Sequence, residues 1–495
     1  MAKAENTTIR SSSAPIEVPG AQIGVNVVGF FRAEFGQGEA ARRLVAGLGR
    51  AGIPYSTVTY DEIPHRQDHP FEDVSAETPF ATNILCLNAE HVLAFARGSG
   101  SDIFEDHYSI GVWFWEASRF VDDLRPAFEY LDEIWVASKF VAQALSPETW
   151  RPIVTFPLPV EVPPPPELSR PEVGLPDDRF VFLFVFDFYS TIERKNPLGL
   201  IEAFKQAFGA GEGPVLVLKT INGDKKPGEH ASVRRAIGDR HDIVLVDGFV
   251  PPDRVRALTA LSDCYVSLHR SEGFGLTIAE AMAYGKPAIA TRYSGNLTFM
   301  DDENSYLVQC GTTTVPENTP PYPAGAVWAD PDIDEAARLM RHVYEHQDEA
   351  RERGERGRQS ILTQHSLERT ATFLLERLPQ VERLRAERSI VPTAGMRARS
   401  FLVSGPNLSW EQPSRRFGRL GVLWRRFLLR LLRPYLVRQR EWETVVTGGL
   451  RELEAATRFT RDRIEQLDAT SRKVQEQAEQ LERQLLELRR ATDER

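Results

Sequence analysis

A short apolar strand that leads into a glycine-punctuated turn constrains the fold of this chain more than any other stretch. The apolar run 264–268 precedes Glu-Gly-Phe-Gly at 272–275. The helix that follows ends at Gly285, before a second apolar run at 288–291. Further buried runs, each followed by a helical pattern, lie at 180–186, 215–220 and 243–249. This alternation predicts a parallel, doubly wound α/β sheet.

The turn at 272–275 has the features of an anion site. Such a loop lies at the carboxyl end of a parallel strand, where open α/β sheets bind ligands, and the first amides of the helix face an anion. Glu272 stands before the helix and Glu280 inside it, a spacing unlike that of an acid and a base flanking one bond. We expect them to hold hydroxyls at two ends of one phosphate-containing ligand. An incidental turn with one capping glutamate is the alternative.

These two glutamates and the sequence EAMAYGKPAIA resemble the donor-binding motif of retaining glycosyltransferase family 4, the glycosyl transferases group 1 domain. The resemblance covers residues 24–379 and implies the GT-B fold, with two Rossmann-like doubly wound domains facing a cleft. It implies that Glu272 contacts the donor sugar or its phosphates and that Glu280 holds the nucleotide ribose. The residues that it places at the diphosphate and sugar are Gly273, Phe274, Gly275, Leu276 and Thr277.

A second glycine-containing loop follows the first predicted strand, 23–29. It carries Gly36, Gly38 and Glu39 before an amphipathic helix. Glycines between a strand and a helix let the backbone approach a ligand. By the resemblance, this loop faces the donor phosphates and the acceptor across the cleft. Tight packing of the helix on the sheet explains the glycines equally well.

An aromatic strand, Trp113 to Trp115, ends at Glu116. Many members of the resembled family carry a His or an Asp near this place, close to the reacting sugar, and this chain departs from that pattern. Glu116 is therefore expected either to accept a hydrogen bond from a donor or acceptor hydroxyl or to cap the helix that follows.

Two cations follow the apolar run 180–186. Arg194 and Lys195 are predicted to face the same cleft as the 272–275 turn, where a departing nucleoside diphosphate needs positive charge. The resembled family presents an Arg a few residues ahead of the Lys, whereas this chain has Ser190 in that stretch. Ser190 and Asn296 are included among the predicted ligand contacts. An ordinary surface Arg-Lys pair is the alternative.

Composition restricts the function classes. The net charge of −10 argues against a general nucleic-acid binder. The three cysteines and ten histidines show no metal-ligand spacing, so we expect no metal site and no cofactor beyond a nucleotide-sugar substrate. The N-terminal segment has no apolar stretch typical of a signal peptide, and no run is long enough to span a membrane. A cytoplasmic protein is expected.

The predicted domain organisation follows from these patterns and from shifts in composition. The segments are a disordered N-terminus at 1–20, an acceptor-side Rossmann-like domain at 21–160, a Pro-rich linker at 161–178, a nucleotide-sugar-binding Rossmann-like domain at 179–380, a linker at 381–411, an Arg-rich amphipathic helix at 412–440 and a coiled coil at 448–492.

The last two segments predict interactions outside the catalytic domains. Residues 412–440 contain nine arginines and no Asp or Glu, with Trp and Phe on an apolar stripe. This pattern favours an in-plane helix on an anionic membrane surface, and a helix packed against protein is the alternative. The heptad pattern at 448–492 favours homo-oligomerisation through a coiled coil, although antiparallel packing onto the same chain is also compatible.

The sequence thus predicts a glycosyltransferase at the inner face of the plasma membrane. It would move a sugar from a nucleotide-diphosphate donor to a hydroxyl of a glycan or lipid-linked acceptor, with retention as the resemblance implies. A GT-B phosphorylase or sugar-phosphate synthase with a soluble acceptor is one alternative. A non-catalytic coiled-coil scaffold is the other.

Overall fold

The computed structural model describes residues 23–75, 77–98, 101–317 and 319–390. The predicted N-terminal segment at 1–20, the amphipathic helix at 412–440 and the coiled coil at 448–492 lie outside these residues. Within the described part of the chain, no helix has both the length and the apolar character needed to cross a membrane.

Two six-stranded parallel sheets form the framework. The first contains β1 (Val25–Gly29), β2 (Tyr55–Thr59), β3 (Thr82–Cys86), β4 (Tyr108–Trp113), β5 (Glu133–Val136) and β6 (Ile153–Thr155). The second contains β7 (Val181–Asp187), β8 (Val215–Ile221), β9 (Ile243–Asp247), β10 (Cys264–Ser267), β11 (Ala288–Thr291) and β12 (Tyr306–Val308). An antiparallel hairpin pairs β13 (Cys310–Thr314) with β14 (Val327–Pro331). The predicted α/β class with two doubly wound domains is confirmed.

Eleven α-helices connect or cover these strands within the described ranges. Those of the first sheet are α1 (Gly36–Ala51), α2 (Ala89–Gly98) and α3 (Lys139–Leu145). Those that follow are α4 (Ile192–Lys195), α5 (Pro197–Ala207), α6 (Pro227–Ile237), α7 (Pro252–Leu261), α8 (Leu276–Ala283), α9 (Ile333–Glu345), α10 (Gln347–Gln364) and α11 (Leu367–Ile390).

The strand order of each sheet creates one crevice. The first sheet runs β2-β1-β3-β4-β5-β6 and the second β12-β11-β10-β7-β8-β9. The chain therefore continues in opposite directions from two neighbouring strands, β1 and β3 in the first sheet and β7 and β10 in the second. Loops that leave the carboxyl ends of such a pair diverge, and the crevice between them is where open α/β sheets bind ligands.

The sheets are held by apolar side chains on both faces. The strand β7, with sequence VFLFVFD, is buried at five of its seven positions, as expected for a parallel strand covered by helices on both sides. In the first sheet, Trp113 and Trp135 are almost fully buried and anchor β4 and β5. These cores fix the strand ends from which the functional loops leave.

Two elements that follow the second sheet pack against the first. On α11, Phe373 lies 5.1 Å from Trp135, measured between ring centroids, and the Arg377 guanidinium pairs with the buried Glu133. The hairpin β13–β14 places Trp328 in an apolar cluster formed mostly by first-sheet residues. The return of the last helix to the first domain agrees with the resemblance to the GT-B fold.

One local prediction differs from the structure, and two other segments were not described from the sequence. The predicted aromatic strand 113–115 ends at Trp113, so residues 114–116 lie in the following loop. The chain after residue 332 forms three helices, with breaks near His346 and His365. The Pro-rich segment after residue 311, which no sequence pattern explained, is the β13–β14 hairpin and its connecting loop.

Candidate active site

The central contact of the site joins the two loops at the second-sheet crevice. Lys195, at the end of α4 after β7, donates a 2.5 Å hydrogen bond from Nζ to Oε1 of Glu272, which follows β10. Arg194 Nη1 lies 3.4 Å from Oε2 of the same carboxylate and donates to the carbonyl of Ser271 at 3.0 Å. Arg194 is buried and Lys195 is mostly buried, unlike an ordinary surface Arg-Lys pair. Sequence reasoning placed these three residues together, and the structure does so.

The electrostatics of this contact keep Glu272 ionised. Burial alone would raise the pKa of its carboxyl, but the charges of Lys195 and Arg194 lower the pKa to about 2. Burial lowers the pKa of Lys195, and the Glu272 charge opposes that change. The carboxylate is therefore a permanent acceptor at neutral pH. Lys195 and Arg194 lie in a largely buried surrounding, where Coulomb interactions with a bound anion are strong.

The turn beside Glu272 leads into the N-terminus of α8. Gly275 has φ +95°, a conformation that favours glycine, and its carbonyl accepts the backbone amides of Ile278 and Ala279. The amides before Ile278 belong to the first turn of the helix, which has no intrahelical acceptors. A side chain on Gly295 would come within 2.3 Å of the Gly273 carbonyl, so the loop after β11 supports the turn from behind.

The first-sheet domain contacts this turn directly. Ser138, which caps α3, donates a 2.7 Å hydrogen bond to the carbonyl of Gly273. A Cβ on Gly273 would lie 3.3 Å from Phe114 and 3.4 Å from a carboxylate oxygen of Glu116. Glu116 is thus at the site, as predicted. The alternative that it caps a helix does not fit, because the next helical segment begins only at Asp122 with Val121 as its cap.

Tyr322 is a site residue that sequence reasoning missed. It lies in the loop of the β13–β14 hairpin and donates a 2.9 Å hydrogen bond from Oη to Oε2 of Glu116. The indole of Trp328 donates to the Glu116 backbone carbonyl at 2.6 Å. Glu272, Glu116 and Tyr322 all act on Arg194, whose pKa is raised by them against the opposing effect of burial. The hairpin therefore holds Glu116 beside the cations. No local sequence pattern predicts that Tyr322 contacts Glu116.

Glu280 has a partner from the other domain. Arg43, on α1, donates from Nη2 to Oε1 of Glu280 at 2.5 Å and from Nε to Oε1 of Glu39 at 2.8 Å. Burial would raise the pKa of Glu39, but Arg43 and Arg42 lower it to about 2. Burial raises the pKa of Glu280, and the Arg43 charge opposes that change. Sequence reasoning required a polar partner for Glu280 but did not identify Arg43, whose only signal is its position four residues after Glu39.

The remaining predicted contacts occupy different positions. Gly36 faces open space, whereas a side chain on Gly38 would clash with the carbonyls of Ala33 and Phe30, so packing accounts for Gly38. Ser190 lies half-buried in the turn between β7 and α4. Asn296 differs from the expectation that it contacts a ligand. Its side chain is fully buried behind the turn, where it donates to the carbonyl of Thr291 and pairs with His269.

Thr277 and several residues with unusual backbone conformations are the remaining features of the site. Thr277 accepts a 2.8 Å hydrogen bond from the buried Tyr265 hydroxyl, which orients the first turn of α8. Four non-glycine residues in loops around the second-sheet crevice, Thr191, Asn196, Asn222 and Ser294, have positive φ values. Such strain persists only where the surrounding structure imposes it, and it is common at ligand sites. Among the described residues, no group of three or more His, Cys, Asp or Glu side chains is arranged to hold a metal ion.

Comparison with known sequences identifies the matched region. Residues 167–360 match the family described as Glycosyl transferases group 1. N-acetyl-alpha-D-glucosaminyl L-malate synthase of Bacillus anthracis is 27% identical over 203 residues, which cover 40% of this chain and 45% of that protein. The chain thus spans less than half the length of this curated relative.

Comparison with solved structures identifies the fold. Sucrose-phosphate synthase from Thermosynechococcus elongatus gives a TM-score of 0.54 at 16% identity, over 73% of this chain and 99% of that one. A glycosyltransferase from Rickettsia africae gives 0.52 at 14% identity, over 73% and 98%. Anabaena HepE in complex with UDP-glucose gives 0.52 at 12% identity, over 72% and 99%.

At these identities the structural likeness concerns the fold alone, and the sequence match supplies the family. The matched residues contain both loops of the second-sheet crevice, with Lys195 and Glu272. The resemblance inferred from the sequence is confirmed to that extent, without a choice among finer families. The chain carries a domain of the glycosyl transferases group 1 family, set in a GT-B fold.

Proposed function

We propose that this protein is a family 4-type glycosyltransferase. It transfers a sugar from a nucleotide-diphosphate donor to a hydroxyl of a glycan or lipid-linked acceptor, with retention of the anomeric configuration. The main observation in support of the proposal is the cluster of Glu272, Lys195 and Arg194. It lies at the crevice between β7 and β10, beside the N-terminus of α8. Retention follows from the resemblance to family 4.

The cluster suits a reaction whose leaving group is a diphosphate. As the glycosidic bond to the donor breaks, negative charge develops on the departing phosphate oxygen. Preorganised cations and helix amides stabilise such charge in a water-poor site. Lys195 and Arg194 supply the cations, and Glu272 holds both in place while its carboxylate can accept hydrogen bonds from sugar hydroxyls.

At the other end of α8, Glu280 is proposed to receive the ribose. Its Oε1 accepts a hydrogen bond from Arg43, whereas its Oε2 accepts none from the described residues. One carboxylate oxygen is thus open to a ribose hydroxyl, and Arg43 fixes the direction in which it points. Because Arg43 belongs to the first domain, binding of the nucleotide would engage both domains.

Replacement of Glu272 by alanine is the direct test. A panel of nucleotide sugars, starting with UDP-glucose, is first screened for the donor that raises the melting temperature most. With that donor, Glu272→Ala is expected to abolish release of the nucleoside diphosphate while circular dichroism shows an unchanged fold. Glu352→Ala, which removes an exposed glutamate on α10, is the matched control and should retain activity. Full turnover by Glu272→Ala contradicts the proposal.

The same assay separates the two alternatives. A phosphorylase or sugar-phosphate synthase would form its product with inorganic phosphate or a soluble sugar phosphate as acceptor. A non-catalytic scaffold would bind the donor without consuming it. A transferase consumes the donor and gives a glycoside of the added alcohol acceptor.

We also propose that residues 412–440 bind an anionic membrane surface and that residues 448–492 form a homo-oligomeric coiled coil. The support is the sequence pattern alone, nine arginines without an acidic residue followed by unbroken heptads. The protein would then act at the cytoplasmic face of the plasma membrane, where a lipid-linked acceptor is accessible.

Flotation with vesicles tests the membrane proposal. The full chain is expected to float with phosphatidylglycerol-containing vesicles at low salt and much less with pure phosphatidylcholine. Replacing Arg425, Arg426 and Arg430 by glutamine should reduce flotation at least tenfold. Equal flotation of the variant and the parent chain, or binding that ignores lipid charge, contradicts an electrostatic membrane helix.

A further inference from the structure

The β13–β14 hairpin follows the second sheet in the chain and is anchored to both domains. On the second-sheet side, Arg270 donates from Nη1 to Oδ1 of Asp330 at 2.7 Å, and its backbone carbonyl accepts the Ala329 amide at 2.9 Å. On the first-sheet side, Trp328 is 1% exposed and packs in a cluster formed mostly by first-sheet residues. The connecting loop that carries Tyr322 is therefore held in place from both sides.

Hydrogen bonds join the hairpin to the loop after β4. The Trp328 indole donates to the Glu116 carbonyl at 2.6 Å. The Val327 amide donates to the Ser118 hydroxyl at 2.8 Å. These two contacts fix the backbone on either side of residue 117. The Tyr322 hydroxyl, which donates to Oε2 of Glu116 at 2.9 Å, fixes the direction of the carboxylate.

The Tyr322 hydroxyl is a permanent donor in this contact. Burial raises its pKa well above the ordinary value, although the Arg194 charge acts in the opposite direction. The hydroxyl therefore keeps its proton at neutral pH. Among the described residues, no other side chain donates a hydrogen bond to the Glu116 carboxylate. Removal of this one hydroxyl would leave the carboxylate free to turn.

Glu116 lies next to the two cations of the site but pairs with neither. In the described part of the chain its carboxylate forms no ion pair with Arg194 or Lys195, whereas Glu272 contacts both. Glu116 is nevertheless close to them. Burial opposes the charged form of each cation, and Glu116 is among the groups that act against this effect and favour a higher pKa.

Arg194 has a donor that such a carboxylate could reach. Its side chain is 6% exposed, and its Nε is a buried donor without an acceptor among the described residues. Buried donors are nearly always paired. A charge-assisted hydrogen bond to a carboxylate is roughly twice as strong as a neutral one. A Glu116 side chain released from Tyr322 would therefore turn towards Arg194.

A pair between Glu116 and Arg194 would compete with the donor. A guanidinium binds carboxylates and phosphates through the same planar set of N–H groups. Donors that are engaged by Glu116 would not be available to a diphosphate. An anion site with an additional carboxylate beside its cations therefore requires that this carboxylate be held away from them.

We propose that Tyr322 is a positioning residue that holds the Glu116 carboxylate away from Arg194, so that Arg194 is available to the diphosphate of the donor. The inference rests on the proposed transfer function and gives the β13–β14 hairpin a role in it. Tyr322 does not itself contact the diphosphate, and its effect passes through Glu116.

Nucleotide binding measures the availability of Arg194. Isothermal titration calorimetry with UDP, ADP and GDP identifies the nucleoside diphosphate that the full chain binds most tightly, and the variants are compared with that nucleotide. Tyr322→Phe removes only the hydroxyl, while Trp328 and Val327 still hold the hairpin. We expect the Kd to rise about tenfold, because the released carboxylate forms a charge-assisted pair with Arg194.

A second substitution distinguishes this mechanism from a loss of packing. Adding Glu116→Gln to the Tyr322→Phe variant removes the competing charge and keeps the size of the side chain. The Kd of the double variant should fall by roughly fivefold or more from that of Tyr322→Phe, a coupling that a double-mutant cycle quantifies. A packing defect at Tyr322 would not be repaired in this way. Glu116→Gln alone should bind the nucleotide at least as tightly as the parent chain.

Tyr306→Phe is the matched control. The Tyr306 hydroxyl also contacts a carboxylate, Oε1 of Glu349 at 3.4 Å. Tyr306 stands at the amino end of β12, and hence at the edge of the parallel sheet opposite the crevice. Its replacement should leave the Kd for the nucleotide within about twofold of the parent value, as is usual for a change away from the site.

The outcomes separate this inference from the function on which it rests. If Tyr322→Phe binds the nucleotide as the parent does, or if Glu116→Gln does not restore its binding, the positioning role is overturned and the transfer function stands. Weaker binding by Glu116→Gln alone also overturns it, since Glu116 would then assist the nucleotide. If the parent chain binds none of the three nucleotides and consumes no nucleotide sugar, the transfer function itself fails and the positioning role fails with it.

Discussion

Replacing Lys195 with methionine is expected to lower the rate of sugar transfer by about 10²–10³-fold, the typical loss when one preorganised stabilising group is removed from a developing anion. Methionine preserves the length of the side chain and removes its charge. The lost charge is the one that lies 2.5 Å from Glu272 and faces the proposed diphosphate. The measurement is the release of nucleoside diphosphate under saturating donor and acceptor, so that the change is read in kcat.

The control for this experiment is Arg351→Met, which removes one exposed cation from α10. It should leave kcat within about twofold, since exposed ion pairs contribute little. Arg194 remains beside Glu272 at 3.4 Å in the Lys195 variant, so the carboxylate keeps one cation and the fold should persist. A kcat equal to that of the parent enzyme would show that Lys195 does not stabilise the leaving group.

The second large effect concerns stability. Replacing Arg377 with methionine is expected to lower the free energy of unfolding by about 3–5 kcal/mol, because it leaves a buried carboxylate without its cation. The partner, Glu133, is 0% exposed, and Arg377 contacts both of its carboxylate oxygens from α11. The indole of Trp135 and the hydroxyl of Tyr108 also donate to this carboxylate, but they bring no positive charge.

Chemical denaturation measures this effect. Arg369→Met, at an exposed position on the same helix, should change the unfolding free energy by less than about 0.5 kcal/mol. Adding Glu133→Gln to the Arg377 variant removes the stranded charge and should restore much of the loss, which a double-mutant cycle would quantify. An Arg377 variant as stable as the control would mean that the ion pair contributes no net stability.

The contact between Lys195 and Glu272 could be predicted from the sequence because it follows from topology. Lys195 and Glu272 are 77 residues apart, yet each stands just after a strand, and the alternation of strands and helices predicts that those strand ends meet at one edge. Glu116 could be placed by the same rule. The helix boundaries near residues 346 and 365 could not be predicted from the sequence, since helical periodicity does not show where a helix breaks.

The contacts between domains could not be predicted in this way. Tyr322 reaches Glu116 across 206 residues, and Arg43 reaches Glu280 across 237. Each pair depends on how the two sheets pack against each other. The periodicity of a single helix or strand carries no information about that packing. Such contacts can be identified only in a structure that contains both domains.

The adjacency of β7 and β10 in the second sheet would also determine when a growing chain first becomes able to bind the proposed donor. Lys195 is synthesised well before Glu272, and their strands become neighbours only after two intervening strands and four helices have been made. A nascent fragment that ends before Glu272 contains Lys195 and Arg194 without the carboxylate that pairs with them. If the proposed function holds, nucleotide-sugar affinity would report, in nascent chains and in refolding experiments, that β7 and β10 have paired.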